Sequence, residues 1–224
     1  ALCRCRTGRT EKVMHRDENG NNTRNGGTPH HHGGEYICIV KNTDIIMAKK
    51  VLIISSSPRR GGNSDTLCDQ FMQGAADAGH AVRKIFLRDK HVNYCVGCGV
   101  CTTGKPCPQK DDAAEIIEAM LDADVIVMAT PVYFYSVSAQ LKTLIDRCCA
   151  RYTEMSDKEF YLIMTAAERD VESMQPTVAV LRGFLNCLDN PVERGIIYGL
   201  GVWQPGEVKS TPAMREAYEA GAAV

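Results

Sequence analysis

From Lys50 onward the chain alternates short apolar runs with longer segments of helical periodicity, and this alternation admits few folds. The apolar runs are Val51–Ser55, Val82–Leu87, Val125–Thr130, Phe160–Thr165 and Gly195–Gly201. Each is short, and four are rich in Val, Ile or Leu, as in strands covered on both faces. Helices are expected from near Asn63, Asp112, Ala139 and Glu172, with a last one near Thr211. The first places Leu67, Phe71, Met72 and Ala75 at three- and four-residue spacings, and Gly79 fits its C-terminal stop. The third places Leu141, Leu144, Ile145 and Cys148 on one face. Strands alternating with helices in this way predict a doubly wound α/β domain: a five-stranded parallel sheet with helices on both faces. Such sheets take their ligand beyond the carboxyl ends of the strands, where the strand order reverses between the first and third. The loops after Ser55 and Thr130 are therefore the ones to read.

The chain has 224 residues, which suits one domain with an appendage, and 44% of them are hydrophobic. A formal net charge of −1 gives no bulk electrostatic case for a nucleic acid or a membrane surface as partner. No apolar run approaches the ~20 residues that span a bilayer, and the first residues lack an apolar signal-peptide core. There are 11 cysteines, an odd number, and four of them crowd between Cys95 and Cys107. Clustered cysteines in a reducing compartment read as metal or redox ligands, so a cytoplasmic protein is expected.

Composition shifts near Met47. Residues 1–46 carry Arg, Asn, Gly, Thr and a His30-His31-His32 run with little periodicity. Such a stretch lacks the apolar surface to order itself. The expectation is a disordered tail or a non-native upstream segment, with Met47 as the true start and residues 47–224 as the folded domain. Its histidines read as solvated, with a metal site as the alternative.

After the first strand comes Ser55-Ser56-Ser57-Pro58-Arg59-Arg60-Gly61-Gly62-Asn63-Ser64 and then a helix. A phosphate needs backbone N–H donors, hydroxyls and a helix N-terminus aimed at it. The glycines allow a tight cradle, Ser57 and Ser64 supply hydroxyls, Asn63 is placed to cap the helix and Arg59 to add charge-assisted bonds. Neither G-x-G-x-x-G nor G-x-x-x-x-G-K-[ST] is present, which weakens the dinucleotide and P-loop readings. A Ser/Gly-rich turn with a helix cap is the plain alternative.

The loop resembles the S-P-R-x-x-G-N-[ST] signature of the NADPH-dependent FMN reductase and flavodoxin-like superfamily. Ser57, Pro58, Arg59, Gly62, Asn63 and Ser64 match it, and Ser56 stands where relatives often have Gly. The resemblance runs from about Lys50 to the C-terminus. It implies a flavodoxin-like fold, with FMN phosphate held by Ser56, Ser57, Arg59, Asn63 and Ser64.

After the third strand comes Thr130-Pro131-Val132-Tyr133-Phe134-Tyr135-Ser136-Val137-Ser138. Two tyrosines and a phenylalanine beside hydroxyls offer the flat apolar surface and polar edge that a flavin ring needs. Aromatics alone are more often core. The segment resembles the family's T-P-x-Y-x-x-S-x-S ring loop, followed by its L-K-x-x-I-D-R helix motif at Leu141–Arg147. That implies ring contacts at Thr130, Pro131, Val132, Tyr133, Phe134, Tyr135 and Ser136. Thr165-Ala166-Ala167-Glu168, after the fourth strand, is a further candidate, with Thr165 leading.

Cys95-x2-Cys98-x2-Cys101-x5-Cys107-Pro108 lies between the second strand and the second helix, in an insertion spanning residues 91–110. Zinc sites usually present two C-x-x-C pairs with a longer spacer. Three cysteines at constant short spacing, a fourth nearby and a following Pro look more like a [4Fe–4S] run. Zinc, redox thiols and a vestigial set remain open. The run resembles the motif of the iron–sulfur flavoproteins, and Lys110-Asp111-Asp112 also looks like relatives. The resemblance implies a [4Fe–4S] cluster on Cys95, Cys98, Cys101 and Cys107 that exchanges electrons with FMN, often across a subunit interface. Cys68, Cys148, Cys149 and Cys187 fall on expected helices and read as buried structural thiols. Cys3, Cys5 and Cys38 carry no argument.

Gly195–Trp203 reads as strand five and a turn. Trp203, the only tryptophan, is placed to approach a flavin, an oligomer contact or the core. The expected protein is an FMN-dependent oxidoreductase of homodimeric or homotetrameric form. It would draw electrons from NAD(P)H or a ferredoxin-like donor and pass them to a small-molecule acceptor. A cluster-free NAD(P)H:FMN or quinone reductase and a pure electron carrier are the alternatives. No protein acid or base is required, because the flavin carries the chemistry.

Overall fold

Val51, Leu52, Ile53 and Ile54 are all buried because β1 (Lys50–Ser55) runs inside a parallel sheet covered on both faces. The computed structural model describes residues 48–224 and the short strands Cys5–Thr7, Thr10–Lys12, His15–Arg16 and Asn22–Thr23. The chain divides into two units, Ala1–Ile46 and Met47–Val224. In the first, the short strands pair antiparallel, Cys5–Thr7 with Thr10–Lys12 and His15–Arg16 with Asn22–Thr23. The His30–His32 run, Cys3 and Cys38 lie outside the described residues.

Within the second unit the strands are β1, β2 (Ala81–Phe86), β3 (Val125–Pro131), β4 (Glu159–Thr165) and β5 (Val192–Gly199). They lie in the order β2-β1-β3-β4-β5, every neighbour parallel. This is the flavodoxin-like order, with its reversal between β1 and β3. The helices are α1 (Asn63–Asp77), α2 (Ala113–Asp122), α3 (Ala139–Arg147), α4 (Gln175–Leu185) and α5 (Ala213–Ala222).

The two-residue side-chain period of strands divides the core. Leu52, Ile54, Ile126, Met128, Phe160 and Leu162 face one way, onto the apolar sides of α2, α3 and α4. Val51, Ile53, Val125, Val127, Tyr161 and Ile163 face the other, onto α1 and α5. Helices α1 and α5 approach very closely. A Cβ on Gly74 would lie 2.1 Å from the Tyr218 carbonyl oxygen, and one on Gly221 would lie 2.1 Å from that of Phe71.

The first four strands fall within a residue of the sequence reading. Strand five begins at Val192, three residues before the expected Gly195. Val192, Glu193 and Arg194 interrupt the apolar pattern, yet Val192 pairs with Glu159 across a register shift at Phe160/Tyr161. Glu193 and Arg194 are held by ion pairs to Arg182 and Glu159. Polar residues are tolerated there because β5 is an edge strand. The fourth helix starts with a 3-10 turn, Glu172–Met174, before Gln175.

Candidate functional site

The loops after β1, β3 and β4 enclose a cavity of about 290 Å³ beyond the carboxyl ends of the strands. Its floor is the phosphate-type loop. Gly62 precedes the first residue of α1, so the unpaired N–H groups of that helix face the loop. A Cβ on Gly62 would meet Ser57 Oγ at 2.7 Å and the Arg59 carbonyl oxygen at 2.9 Å. Ser57 Oγ itself accepts from Arg59 N at 3.1 Å and donates to Arg59 O at 2.9 Å, which closes the turn. Behind it the buried Asp65 carboxylate accepts from Gly61 N (3.0 Å), Ser55 Oγ (2.9 Å) and Lys84 Nζ (2.9 Å). Asp65 therefore faces away from the cavity with its charge neutralised, and the loop is preorganised without it.

Ser64 lines the cavity in the first turn of α1, and its buried Oγ has no hydrogen-bond partner. A buried unpaired hydroxyl is costly, so this atom marks where an acceptor belongs. An orphaned hydroxyl at a helix N-terminus in a glycine-formed cradle fits the phosphate of an FMN-type ligand.

Four residues expected at the site, Asn63, Ser56, Thr130 and Ser136, need correction. Asn63 does not cap α1, because the N-cap is Gly62 and no side chain bonds there. The Asn63 amide instead donates Nδ2 to Gln204 O (3.0 Å) and accepts from Gly206 N (3.0 Å) and Val208 N (3.3 Å). It lines the cavity, but its hydrogen bonds go to the loop after β5. Ser56 is fully buried and does not line the cavity. Its Oγ donates to Ala129 O (2.7 Å) and accepts from Ser138 Oγ (2.9 Å). Thr130 Oγ1 accepts from Ser138 N at 2.9 Å. Ser56, Thr130 and Ser138 thus form a buried knot that fixes the phosphate loop against the ring loop, with Thr130 and Ser136 off the cavity wall.

The other wall carries Pro131, Val132, Tyr133, Phe134 and Tyr135. Tyr133 and Ser136 exchange backbone hydrogen bonds at 3.0 Å, closing a two-residue turn on Phe134 and Tyr135. Both residues have positive φ, 48° and 57°. Such turns favour Asn and Gly. Two bulky aromatics in left-handed backbone store on the order of 1–3 kcal/mol each. The strained turn holds Phe134 fully in solvent beside the half-exposed Tyr135.

Thr165, Ala166, Ala167 and Glu168 edge the same cavity, as do Val202 and Trp203. Trp203 is 65% exposed, yet its backbone is fixed. Its carbonyl accepts from Arg59 Nη1 at 3.1 Å, and its N–H donates to Glu207 at 2.6 Å. Arg59 therefore joins the phosphate loop to the Trp203 loop. Val202 carried no signal in the sequence, since a lone Val after a strand reads as packing.

The cysteine loop is anchored at its base. Arg147, the last residue of α3, donates to Asp111 through Nη1 (2.6 Å) and Nη2 (3.0 Å), and through Nη1 to Asn93 O (2.8 Å). It also reaches Cys107 Sγ at 3.5 Å. Burial tends to raise the Asp111 carboxyl, but Arg147 and the N–H groups of Asn93 and Ala113 hold it down at about 2. Cys95, Cys98, Cys101 and Cys107 carry free thiols that are exposed or half-exposed. Among the described residues no group of three or more Cys, His, Asp or Glu is gathered to hold a metal. The donor chemistry of the four thiols suits an iron–sulfur cluster, but their side chains are not gathered around one point. Of the helix cysteines, Cys68 and Cys148 are buried as expected, whereas Cys149 and Cys187 are exposed. Partial desolvation and the adjacent Cys101 and Cys95 thiols push Cys149 up.

Comparison with known sequences decides the family. The NADPH-dependent FMN reductase family matches residues 49–192, more than half of the chain. The chain belongs to that family. An iron–sulfur flavoprotein of Methanocaldococcus jannaschii is 45% identical over 86 residues, 38% of this chain and 45% of that protein. One from Archaeoglobus fulgidus is 38% identical over 86 residues, 38% of this chain and 39% of that protein. An FMN-dependent NADH:quinone oxidoreductase of Pseudomonas aeruginosa is 38% identical over 82 residues, covering 32% of this chain and 40% of that protein. The chain thus spans about two-fifths of the length of the curated relatives it matches. Among solved structures, a NAD(P)H:quinone oxidoreductase from Methanothermobacter marburgensis superposes with a TM-score of 0.65 at 19% identity, over 79% of this chain and 96% of that one. An FMN-dependent NADH-azoreductase from Bacillus anthracis, solved with FMN, gives 0.60 at 18% identity, over 79% and 99%. These share the fold. Within the FMN reductase family frame, the cavity over α1 occupies the switch point between β1 and β3.

Proposed function

We propose that this chain is an FMN-dependent oxidoreductase that takes reducing equivalents from NAD(P)H and delivers them to a quinone-like small molecule. The observation that carries this reading is the orphaned Ser64 hydroxyl at the N-terminus of α1, in one cavity with the strained Phe134-Tyr135 turn. Bound FMN would supply the hydride and electron chemistry. The Ser64 hydroxyl and the first N–H groups of α1 would hold its phosphate, and Arg59 would add a cation. The Pro131–Ser136 turn and the Thr165–Glu168 edge would position the ring. Phe134 and Trp203 form an apolar mouth through which flat donor and acceptor molecules would enter in turn.

The reading carries a cytoplasmic location, where NAD(P)H is supplied, and a homodimer or homotetramer. The cysteine spacing and the names of the archaeal relatives support a [4Fe–4S] group as an addition. The thiols are not gathered for it in the described residues. Iron and sulfide assays on anaerobically prepared protein test it separately.

The experiment is anaerobic stopped-flow mixing of FMN-loaded protein with NADPH and with NADH. Rapid loss of the visible flavin absorbance, followed by turnover with a quinone, is expected. A flavin that no nicotinamide reduces, but that a reduced ferredoxin does, would replace this reading with an electron carrier.

A further inference from the structure

Trp203 is 65% exposed at the edge of the cavity, yet the backbone on both sides of it is pinned. Before it, Gly201 N donates to Glu168 O at 2.7 Å and Val202 N to Ala166 O at 2.9 Å, which zips this loop to the one after β4. From the phosphate loop, Arg59 Nη1 donates to Trp203 O at 3.1 Å. The buried Asn63 amide donates to Gln204 O (3.0 Å) and accepts from Gly206 N (3.0 Å) and Val208 N (3.3 Å). The Glu207 carboxylate closes the loop on itself by accepting from Trp203 N (2.6 Å) and Gln204 N (2.9 Å). Plain packing would bury the indole. Instead the backbone is fixed and the large side chain is left in water beside the cavity. A wall fixed in advance loses little freedom when a molecule stacks on it.

The charge of this edge narrows the class of molecule. Glu168, Asp170 and Glu172 follow β4, with Arg169 as the one cation between Glu168 and Glu172. A Cβ on Gly201 would meet Arg169 Cγ at 3.4 Å, so this acidic stretch runs beside the Trp203 loop. Three carboxylates against one guanidinium disfavour a polyanion there and leave an uncharged molecule. The indole offers a flat face and one N–H donor. An uncharged planar carbonyl compound, the quinone class, matches both.

We propose that Trp203 is the specificity-determining residue for the electron acceptor, stacking on uncharged quinone-class molecules, and that Asn63 and Arg59 are positioning residues that hold it in place. The inference rests on the FMN reading above. It gives Asn63 a role other than the phosphate contact expected for it: a buried amide in the phosphate loop sets the position of the wall on which the acceptor stacks.

The test uses the FMN-loaded full chain, titrated with dithionite to full reduction so that no nicotinamide is needed. Stopped flow then follows reoxidation by menadione, an uncharged naphthoquinone, and by ferricyanide, a compact anion with no ring to stack. The readout is the ratio of the two second-order rate constants. Trp203→Ala should lower the menadione-to-ferricyanide ratio at least about tenfold, and Trp203→Phe, which keeps a flat ring, by less. Asn63→Ala should lower the ratio in the same direction, and its FMN-free chain should show lower Trp203 emission anisotropy as the wall comes loose. An unchanged ratio in Trp203→Ala overturns the proposal. So does an Asn63→Ala chain in which either the ratio or the anisotropy stays at its original value. A loaded flavin that NAD(P)H fails to reduce contradicts the donor proposed above without touching these ratios, whereas a chain that takes up no flavin overturns both.

Discussion

Arg147 and Asp111 form a two-point ion pair with both side chains buried, at 2.6 and 3.0 Å. It joins the last residue of α3 to the base of the cysteine loop. Breaking one member of a buried pair leaves the other charge stranded, which costs about 3–5 kcal/mol. Arg147→Ala and Asp111→Asn should each lower stability by about that amount in urea titrations. The double variant Arg147→Met/Asp111→Leu should recover most of the loss, because no charge is then stranded. Full additivity of the two single losses would contradict the pairing.

The same pair sets an acid limit. The Asp111 carboxyl sits at about 2 in the folded chain and near 3.9 when unfolded. A depressed carboxyl stabilises the fold above the unfolded value, and that contribution disappears as pH falls through the folded value. Stability should therefore decline between about pH 4 and pH 2. The decline should be shallower in Asp111→Asn, as read by thermal melts across that range.

An alkaline limit arises from Cys148, whose thiol burial pushes up to about 12. The unfolded chain releases that proton near 8.5, whereas the folded chain keeps it. Stability should fall as pH rises above about 8.5 and continue falling toward the raised value. Cys148→Ala should flatten that slope while costing packing energy at neutral pH.

Ser64→Ala separates a ligand site from a structural one. A hydrogen bond to a charged group is worth about 1.5–3 kcal/mol, so FMN affinity should fall roughly 10- to 150-fold. The FMN-free chain should lose no stability, because its Ser64 hydroxyl has no partner to forfeit. Calorimetric titration and melting of the free chain read both. Unchanged affinity would remove the phosphate role.

Gly62→Ala tests the cradle. A Cβ 2.7 Å from Ser57 Oγ and 2.9 Å from the Arg59 carbonyl oxygen forces the loop to shift. FMN affinity should fall at least tenfold, about 1.4 kcal/mol. Gly61→Ala is a useful contrast, since its φ of 61° strains the backbone while no atom blocks a Cβ.

The sheet was legible because strands buried on both faces write continuous apolar runs, as Val51–Ile54 and Val125–Ala129 do. Strand five was misplaced at its start because an edge strand tolerates Glu193 and Arg194, which erase that signal. The site was legible where the chain is local. Ser57, Gly62 and Ser64 sit in one loop, and the turn at Phe134 follows one strand. Asn63 was misread because its partners, Gln204, Gly206 and Val208, are distant in sequence. Spacing reports how cysteines recur along a chain. It carries no information on Cys149, whose turn Cys148–Ala150 at the end of α3 packs on the turn Val100–Thr103 of the cysteine loop.

Trp203 is the only tryptophan and lines the cavity, so its fluorescence reports directly on the site. The most direct test of the account is titration of the FMN-free chain with FMN, following Trp203 and flavin emission together. The account predicts saturable quenching of both at one FMN per chain, weakened by Ser64→Ala. Flavin emission that stays at its free value, with Trp203 unaffected, would contradict it.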